Sequence, residues 1–191
     1  MQLGMQDVGI ASEGAHTGEI AASMVKDVGG SWVIVGHSER RTDQSESDVL
    51  VAQKFASAIA ADLSPIVCVG ETLAQREAGD AFAVVSKQLQ AVIELCGVSA
   101  LVKGAIAYEP LWAIGTGLTA TPEQAGQMHA SIRELVAGLD QDTAQAVRII
   151  YGGSVNPENA GLLFAQDEID GALVGGASLQ AASFAAIVAA I

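Results

Sequence analysis

The segment Trp32-Val33-Ile34-Val35-Gly36-His37-Ser38-Glu39-Arg40-Arg41 decides the fold of this chain. Four consecutive apolar residues lead into a glycine turn, and polar residues that suit the start of a helix follow at once. A strand that is apolar at every position is typical of a parallel sheet that helices cover on both faces. The segment therefore predicts a strand, a turn and a helix, which together make one βα unit.

The same arrangement recurs along the chain. Apolar runs followed by turn residues and a helical segment also lie at residues 66–69, 105–108, 147–151 and 172–174, and a weaker first strand fits residues 3–10. Capping residues mark helix starts at residues 72–75, 121–124 and 156–158. The repetition predicts an α/β fold with a parallel sheet, built as a single domain over residues 1–191 from about six βα units.

Two architectures can hold such units. A (βα)8 barrel usually has about 250 residues, so the 191 residues fall about two units short of a closed barrel. A doubly wound open sheet tolerates six strands, but the Gly-x-Gly-x-x-Gly fingerprint expected after its first strand is missing. We therefore expect the barrel architecture, with an incomplete barrel.

The composition excludes several classes of protein. With 9 Lys+Arg against 22 Asp+Glu the formal net charge is −13, which argues against a nucleic-acid binder and against docking on an anionic membrane. Half of the residues are hydrophobic and 16% are charged, a composition that excludes an intrinsically disordered chain. Two cysteines and three histidines without clustering predict neither a disulfide framework nor a metal site.

No targeting or membrane segment is recognised. The first seven residues have neither the basic nor the apolar stretch of a secretory signal, so a cytoplasmic location is expected. Residues 171–191 carry no charge and are about as long as a membrane span, but two glycines, two serines and a glutamine interrupt them. A strand, a glycine turn and a buried helix describe this stretch better.

Residues at the carboxyl ends of the predicted strands are the candidates for chemistry, because active sites of parallel α/β folds lie there. His37 follows one strand, with Ser38 as the predicted cap of the next helix. A helix N-terminus disfavours imidazolium, so a neutral His37 that donates a hydrogen bond is expected. Glu109 follows another strand and is placed to act as a general base. The alternatives are a structural histidine and an ordinary surface carboxylate.

An apolar lid is predicted directly after Glu109. A stiff entry, an apolar tip and a glycine-containing exit make up its eight residues, Pro110, Leu111, Trp112, Ala113, Ile114, Gly115, Thr116 and Gly117. Closure of an apolar lid would exclude water from the carboxylate and strengthen it as a base. An ordinary surface loop would instead leave Trp112 and Ile114 exposed without purpose.

Glycine pairs follow the last two predicted strands, in Gly152-Gly153-Ser154 and in Gly175-Gly176. Glycines let backbone N–H groups approach a ligand, and barrels commonly bind phosphate in the loops after their last two strands. Such an uncharged cradle could hold an anion that the overall charge of −13 repels.

Two other residues at strand ends are assigned no chemistry. Cys68 lies within an apolar run and has no basic neighbour, so a packed, inert thiol is expected. Glu71 is expected at most to take part in a structural ion pair.

Four motifs together resemble those of the triosephosphate isomerases of the bacterial type. They are GHSERR at 36–41, YEPLWAIGTG at 108–117, YGGSV at 151–155 and LVGGASL at 173–179, and the resemblance covers essentially the whole chain. It implies interconversion of dihydroxyacetone phosphate and glyceraldehyde 3-phosphate through an enediolate, in glycolysis and gluconeogenesis, with neither cofactor nor metal. Phosphorylated triose is thus the implied small-molecule partner.

The resemblance also implies roles by position. Glu109 corresponds to the base that moves the proton, His37 to the neutral group that polarises the carbonyl, and Glu39 to a glutamate beside the catalytic lysine. The donors to the substrate phosphate correspond to Gly115, Ser154, Gly175 and Gly176. The loop at residues 13–19, with His16 and Thr17, corresponds to the loop that enters the other subunit of a homodimer.

Departures from the family pattern limit these expectations. His16 stands where an aromatic ring is usual, Met5 where a small residue is usual, and Leu118 where lysine is frequent. The resemblance begins only at the family's third strand, so the chain is expected to supply strands 3–8 and to be truncated at its N-terminus. The asparagine and lysine of the family's first strand have no counterpart.

The missing residues leave a second function open. Loss of one preorganised donor typically costs about 10²–10³ in rate. The alternative is therefore an impaired or inactive barrel fragment that self-associates and at most binds phosphate. Another phosphate-binding barrel enzyme is disfavoured by the complete lid motif. Unpaired edges at residues 3–10 and 172–174 predict a homo-oligomer that uses an interface foreign to the family.

Overall fold

The strands form one parallel sheet. In a computed structural model, which describes residues 1–114 and 119–191, five strands pair in chain order: β1 (Gly4–Met5), β2 (Trp32–Val35), β3 (Ser64–Val69), β4 (Ala105–Tyr108) and β5 (Arg148–Tyr151). Each ladder is parallel, and Tyr151 adds a parallel bridge to Ala172. The predicted α/β fold with a parallel sheet is confirmed.

Helices connect the strands. The described residues form α1 (Ala22–Asp27), α2 (Ser38–Asp43), α3 (Asp48–Ala60), α4 (Leu73–Glu77), α5 (Ala81–Cys96), α6 (Pro122–Ala137), α7 (Gln141–Ala146), α8 (Ala160–Phe164) and α9 (Ala181–Val188). Short 3-10 helices lie at Val98–Lys103, Leu111–Ala113 and Gly176–Leu179. Of the helices that the structure describes, none is both long and apolar enough to cross a membrane.

Two predicted strands are shorter than expected. From residues 3–10 only Gly4–Met5 joins the sheet, because the Gly9 N–H donates to the Ile20 carbonyl (2.8 Å) and the chain turns away. From residues 172–174 only Ala172 pairs, since the chain soon enters the 3-10 helix at Gly176–Leu179.

Capping explains most of the helix starts. Capping boxes begin α4 at Thr72 and α6 at Thr121, as predicted. The cap predicted for α2 is wrong: Ser38 is its first residue, and His37 is the cap, with Nδ1 accepting from the backbone N–H of Glu39. Asn156 is a cap as predicted, since its Oδ1 accepts the N–H groups of Glu158 and Asn159, but it caps a turn, and α8 begins only at Ala160.

Burial differs between strands. β4 is buried at every position, as expected for a strand covered on both faces. In β2 the same expectation is wrong, since only Val33 and Val35 are buried. Ile34 instead lines the cavity described below, so that face of β2 belongs to a site and not to the core.

The helix predicted as buried near the end of the chain is exposed. In α9 only Ile187 is buried, while Phe184 and Val188 are exposed. Among the described elements this helix packs mainly against the 3-10 helix at Gly176–Leu179, and Ile187 is its one residue in the hydrophobic core.

Candidate active site

The carboxyl ends of the strands surround one cavity of about 750 Å³. Its wall includes His37 after β2, Glu109 after β4, Ser154 after β5, and the glycine pair Gly175 and Gly176 after the bridge at Ala172. These residues are up to 139 positions apart in the sequence, from 37 to 176. The parallel sheet brings them together because it places every strand end at the same edge.

Glu109 and His37 face each other across the floor of this cavity. Glu109 Oε1 lies 3.1 Å from His37 Nε2, and Glu109 Oε2 accepts the backbone N–H of Ser38 at 2.9 Å. Because His37 Nδ1 accepts a hydrogen bond from Glu39, the ring proton belongs on Nε2, toward the carboxylate. Nε2 and Oε1 are thus within ion-pair distance, but no hydrogen bond joins them, and Oε1 has no hydrogen-bond partner among the described residues.

Burial sets the basicity of the carboxylate. The Glu109 side chain is only 2% exposed, and desolvation raises its pKa above the ordinary value of 4.5. His37 and the Ser38 N–H oppose this rise, because both favour the charged form. The result is a carboxylate that is a stronger base than one in water and that the Ser38 N–H holds in place.

Two glycines leave no room beside Glu109. A Cβ at Gly70 would lie 1.7 Å from the Glu109 carbonyl oxygen, and one at Gly152 would lie 2.7 Å from Glu109 Cγ. The Gly152 N–H donates to the Tyr108 carbonyl at 2.7 Å. This bond extends the hydrogen-bond ladder between β4 and β5 to the end of β4. A larger residue at either position would displace the carboxylate.

The segment that follows β5 and the bridge at Ala172 presents exposed donors. Ser154, Gly175 and Gly176 are accessible on the cavity wall. The Ser178 hydroxyl and N–H both bind the Gly175 carbonyl, at 2.7 and 2.9 Å, and fix the turn that carries the glycines. This wall offers N–H and hydroxyl groups without a side-chain charge.

The described part of the predicted lid is anchored to Glu71. Pro110 precedes the 3-10 helix Leu111–Ala113, and Ile114 lines the cavity. The Leu111 N–H donates to the Glu71 carbonyl at 3.0 Å. The predicted lid residues Gly115, Thr116 and Gly117, and also Leu118, lie outside the described residues.

Glu71 has the structural role that was expected. Its carboxylate is fully buried, and Oε1 accepts from Tyr108 Oη (3.1 Å), Trp112 Nε1 (2.9 Å) and Arg76 Nη1 (3.2 Å). The Arg76 guanidinium also lies over the Trp112 ring, 4.8 Å from its centroid. One carboxylate oxygen therefore connects β4, the lid entry and α4.

The other predicted residues differ in their distance from the pair, and Cys68 lies beside Glu109. Glu39 borders the cavity but its side chain is 76% exposed, with Oε2 3.7 Å from His37 Nδ1. His16 and Thr17 are exposed in the loop at residues 13–19. Cys68 is fully buried, and burial raises the pKa of its thiol well above the usual value, as expected for an inert thiol.

Sequence reasoning missed a buried charge cluster beside the cavity. The Lys54 ammonium lies 2.6 Å from both Asp7 Oδ2 and Glu46 Oε1, and Arg40 Nε lies 2.9 and 2.6 Å from the same two oxygens. Lys54 could have been noticed because it shares the buried face of α3 with Val51 and Phe55. In the described part of the chain no lysine lines the cavity, and no group of His, Cys, Asp or Glu is placed to hold a metal ion.

Comparison with known proteins identifies the family. The family model described as triosephosphate isomerase matches residues 1–191. The chain belongs to the triosephosphate isomerase family. By family, it is an intramolecular aldose–ketose isomerase of glycolysis.

Curated relatives agree with the family model. The triosephosphate isomerase of Stenotrophomonas maltophilia strain K279a is 56% identical over 187 residues, which cover 98% of this chain and 74% of the relative. That of Alcanivorax borkumensis is 54% identical over 185 residues, with 97% and 75% covered, and that of Azoarcus sp. strain BH72 is 54% identical over 187 residues, with 98% and 76% covered. The predicted triosephosphate isomerase resemblance is thereby confirmed.

Proposed function

We propose that Glu109 and His37 are the catalytic pair of a triosephosphate isomerase. One observation carries the proposal: a carboxylate that is 2% exposed lies 3.1 Å from the Nε2 of an imidazole, on the wall of an open cavity. Glu109 removes a proton from the carbon beside the substrate carbonyl and returns it to the neighbouring carbon. His37 donates its Nε2 proton in a hydrogen bond to the oxygens of the enediolate.

The surroundings of Glu109 and His37 support these two roles. The raised pKa of Glu109 makes the carboxylate a better base for a carbon acid, while the Ser38 N–H and the nearby His37 favour its charged form. The Glu39 N–H fixes the His37 tautomer, so the ring presents a proton and not a lone pair to the substrate. When substrate enters, the two groups exchange their mutual contact for contacts with the reacting atoms.

The substrate phosphate binds at the opposite wall, to Ser154, Gly175 and Gly176, with Gly115 of the lid as a further donor. Exposed N–H and hydroxyl groups suit a dianion, because they supply partial positive charge without adding a titrating side chain. The lid from Pro110 to Gly117 then closes over the substrate and excludes water.

The described sheet corresponds to about six of the eight units of a (βα)8 barrel. Five ladder strands and one bridged segment, together with the 74% of a relative that is matched, support this assignment. The family's asparagine and lysine have no counterpart in these units. Glu39, which borders the cavity, is then the group that would stand beside such a lysine.

An impaired fragment is the second candidate. The observation that favours it is that no lysine lines the described part of the cavity, in a chain of net charge −13. Such a chain would bind phosphate at the glycine wall without turnover. We also propose a cytoplasmic homo-oligomer that needs no cofactor, with His16 and Thr17 in the exposed loop at its interface in the family arrangement.

Turnover of glyceraldehyde 3-phosphate by the purified chain tests the proposal. Glu109→Gln should reduce kcat by at least about 10³, since it removes the base. The matched control, Glu123→Gln on an exposed position of α6, should keep wild-type kcat. Turnover of the wild-type chain equal to that of Glu109→Gln would refute activity of this chain alone. Phosphate binding measured by calorimetry would then support the second candidate, and its absence would refute both.

A further inference from the structure

Arg41 is a charged residue that the proposed catalytic roles leave unexplained. It lies in α2, four positions after His37, and its side chain is only 13% exposed. A guanidinium is costly to remove from water unless hydrogen-bond acceptors surround it. Its partners should therefore indicate what it holds in place.

Three acceptors from three segments surround this guanidinium. Nε donates to the Gly36 carbonyl at 2.8 Å, and Nη2 donates to the Cys68 carbonyl at 3.1 Å. Nη1 donates to Asp48 Oδ1 at 2.7 Å, in the first turn of α3. The planar fork thus connects the end of β2, the end of β3 and the start of α3.

On one side, Arg41 holds both peptide groups of His37. The Gly36 carbonyl belongs to the peptide bond that joins Gly36 to His37, and it binds the Arg41 side chain. The His37 carbonyl accepts the backbone N–H of Arg41 at 3.1 Å. Gly36 has a φ of +69°, so the turn before His37 needs glycine as well as this support.

On the other side, Arg41 holds the strand that positions Glu109. Cys68 precedes Val69, whose carbonyl accepts the Glu109 N–H at 2.7 Å. The guanidinium therefore lies between the backbone of His37 and β3, the strand to which the Glu109 backbone is hydrogen-bonded. The guanidinium thus contacts both backbone segments that set the 3.1 Å separation between His37 Nε2 and Glu109 Oε1.

We propose that Arg41 is a positioning residue for the isomerase reaction, which fixes the His37 imidazole relative to Glu109 without touching substrate. The proposal rests on the proposed function. Lysine cannot replace arginine here, because an ammonium group is a point donor that cannot bond three acceptors in one plane. Asp48 orients the fork and, at the first residue of α3, is itself favoured by the helix N-terminus.

The test compares Arg41→Lys with Arg148→Lys in the full chain. Arg148 is exposed at the opposite end of the strands, where it lies over the Trp32 ring at 5.5 Å, and it serves as the matched control. The readouts are kcat and KM, the urea midpoint, and the two ring ¹⁵N signals of His37 in protein labelled at histidine. The two signals that are missing from the spectrum of His37→Gln are those of His37.

Arg41→Lys should lower kcat by about 10- to 100-fold while KM changes less than about threefold, because a misplaced group chiefly affects the reacting geometry. The His37 signals should move from the single tautomer with a proton on Nε2 to a mixture. Arg148→Lys should leave both readouts unchanged. Unaltered His37 signals and kcat in Arg41→Lys would overturn the proposal.

Two further outcomes are covered by the same design. If Arg41→Lys does not fold, Asp48→Asn keeps the guanidinium but removes its charged partner, and an unaltered His37 spectrum in that variant would overturn the proposal. If the wild-type chain shows no turnover, the proposed function fails for this chain alone. The His37 spectrum of the folded variant then still decides whether Arg41 positions the ring.

Discussion

Replacement of His129 by asparagine should flatten the pH dependence of stability on the acid side of neutrality. His129 in α6 is fully buried, and its Nδ1 lies 3.1 Å from the Glu168 carbonyl oxygen. Its ring packs edge-on against Tyr108, with centroids 5.9 Å apart, and lies 6.4 Å from the ring of Tyr151. Burial lowers the pKa of His129 from 6.5 to about 4, against the opposing effect of the Glu168 carbonyl.

The direction in which stability changes with pH follows from proton uptake. Between about pH 6.5 and pH 4 the unfolded chain protonates this imidazole and the folded chain does not, so the free energy of unfolding rises with pH in this window. The contribution of His129 is complete above pH 6.5 and is lost as the pH falls toward 4. At 1.36 kcal/mol per pKa unit, the fall from 6.5 to about 4 corresponds to about 3 kcal/mol.

Asparagine isolates this effect because its amide can donate to the Glu168 carbonyl but does not titrate. The smaller side chain should also cost about 1–3 kcal/mol at every pH through the cavity it leaves. Urea unfolding at half-unit steps from about pH 7 to pH 4.5 measures both quantities, the cavity as a constant offset and the titration as a slope. His16→Asn, the same change on an exposed side chain, is the control and should follow the wild-type slope.

Parallel curves for wild type and His129→Asn over this range would refute the reasoning. They would mean that the buried ring takes up no fewer protons than the ring in the unfolded chain. The Tyr108 and Tyr151 contacts would then have to accommodate a charged imidazole.

Three other perturbations follow from the same contacts. Because burial raises the pKa of Glu109 above 4.5, kcat/KM should fall on the acid side at a pH above 4.5. Glu109→Gln should raise the free energy of unfolding at pH 7, with a gain that shrinks as the pH falls through the raised pKa and is gone below about pH 4.5; urea titrations showing no gain at pH 7 would contradict this. Gly152→Ala should lower kcat by about 10- to 100-fold by displacing Glu109, whereas Gly161→Ala, with nothing within 4 Å of the new Cβ, should retain kcat and gain up to about 1 kcal/mol. Steady-state kinetics with equal rates for the two alanine variants would disprove the steric argument. Glu71→Gln should cost about 1–3 kcal/mol by weakening the acceptor for Arg76, while Glu77→Gln, exposed at the end of α4, should cost nothing measurable by urea unfolding.

Local pattern explains why the strand ends could be predicted. A parallel strand buried by helices must be apolar, and the turn after it must contain residues such as Gly36 and Gly152, so the signal lies within about ten residues. The positions of His37, Glu109 and Ser154 around one cavity follow from that pattern, because parallel strands end at a common edge.

Contacts between distant segments could not be predicted in this way. Asp7 and Lys54 are 47 positions apart, and Arg41 reaches a carbonyl 27 positions away. Neither pairing leaves a periodic signal. The short β1 and the exposed α9 depend equally on which neighbours an element meets, and an apolar run alone does not reveal whether such a neighbour is present.

The glycines that crowd Glu109 have a consequence for mutational scanning. Gly70 and Gly152 carry no group that could take part in chemistry, yet no side chain can be added at either position without moving Glu109, the proposed general base. A saturation library scored for turnover should therefore rank these two sites with Glu109 itself in intolerance. A search for catalytic residues that considers only functional groups would pass over both glycines, although they shape the space that the Glu109 side chain and backbone occupy.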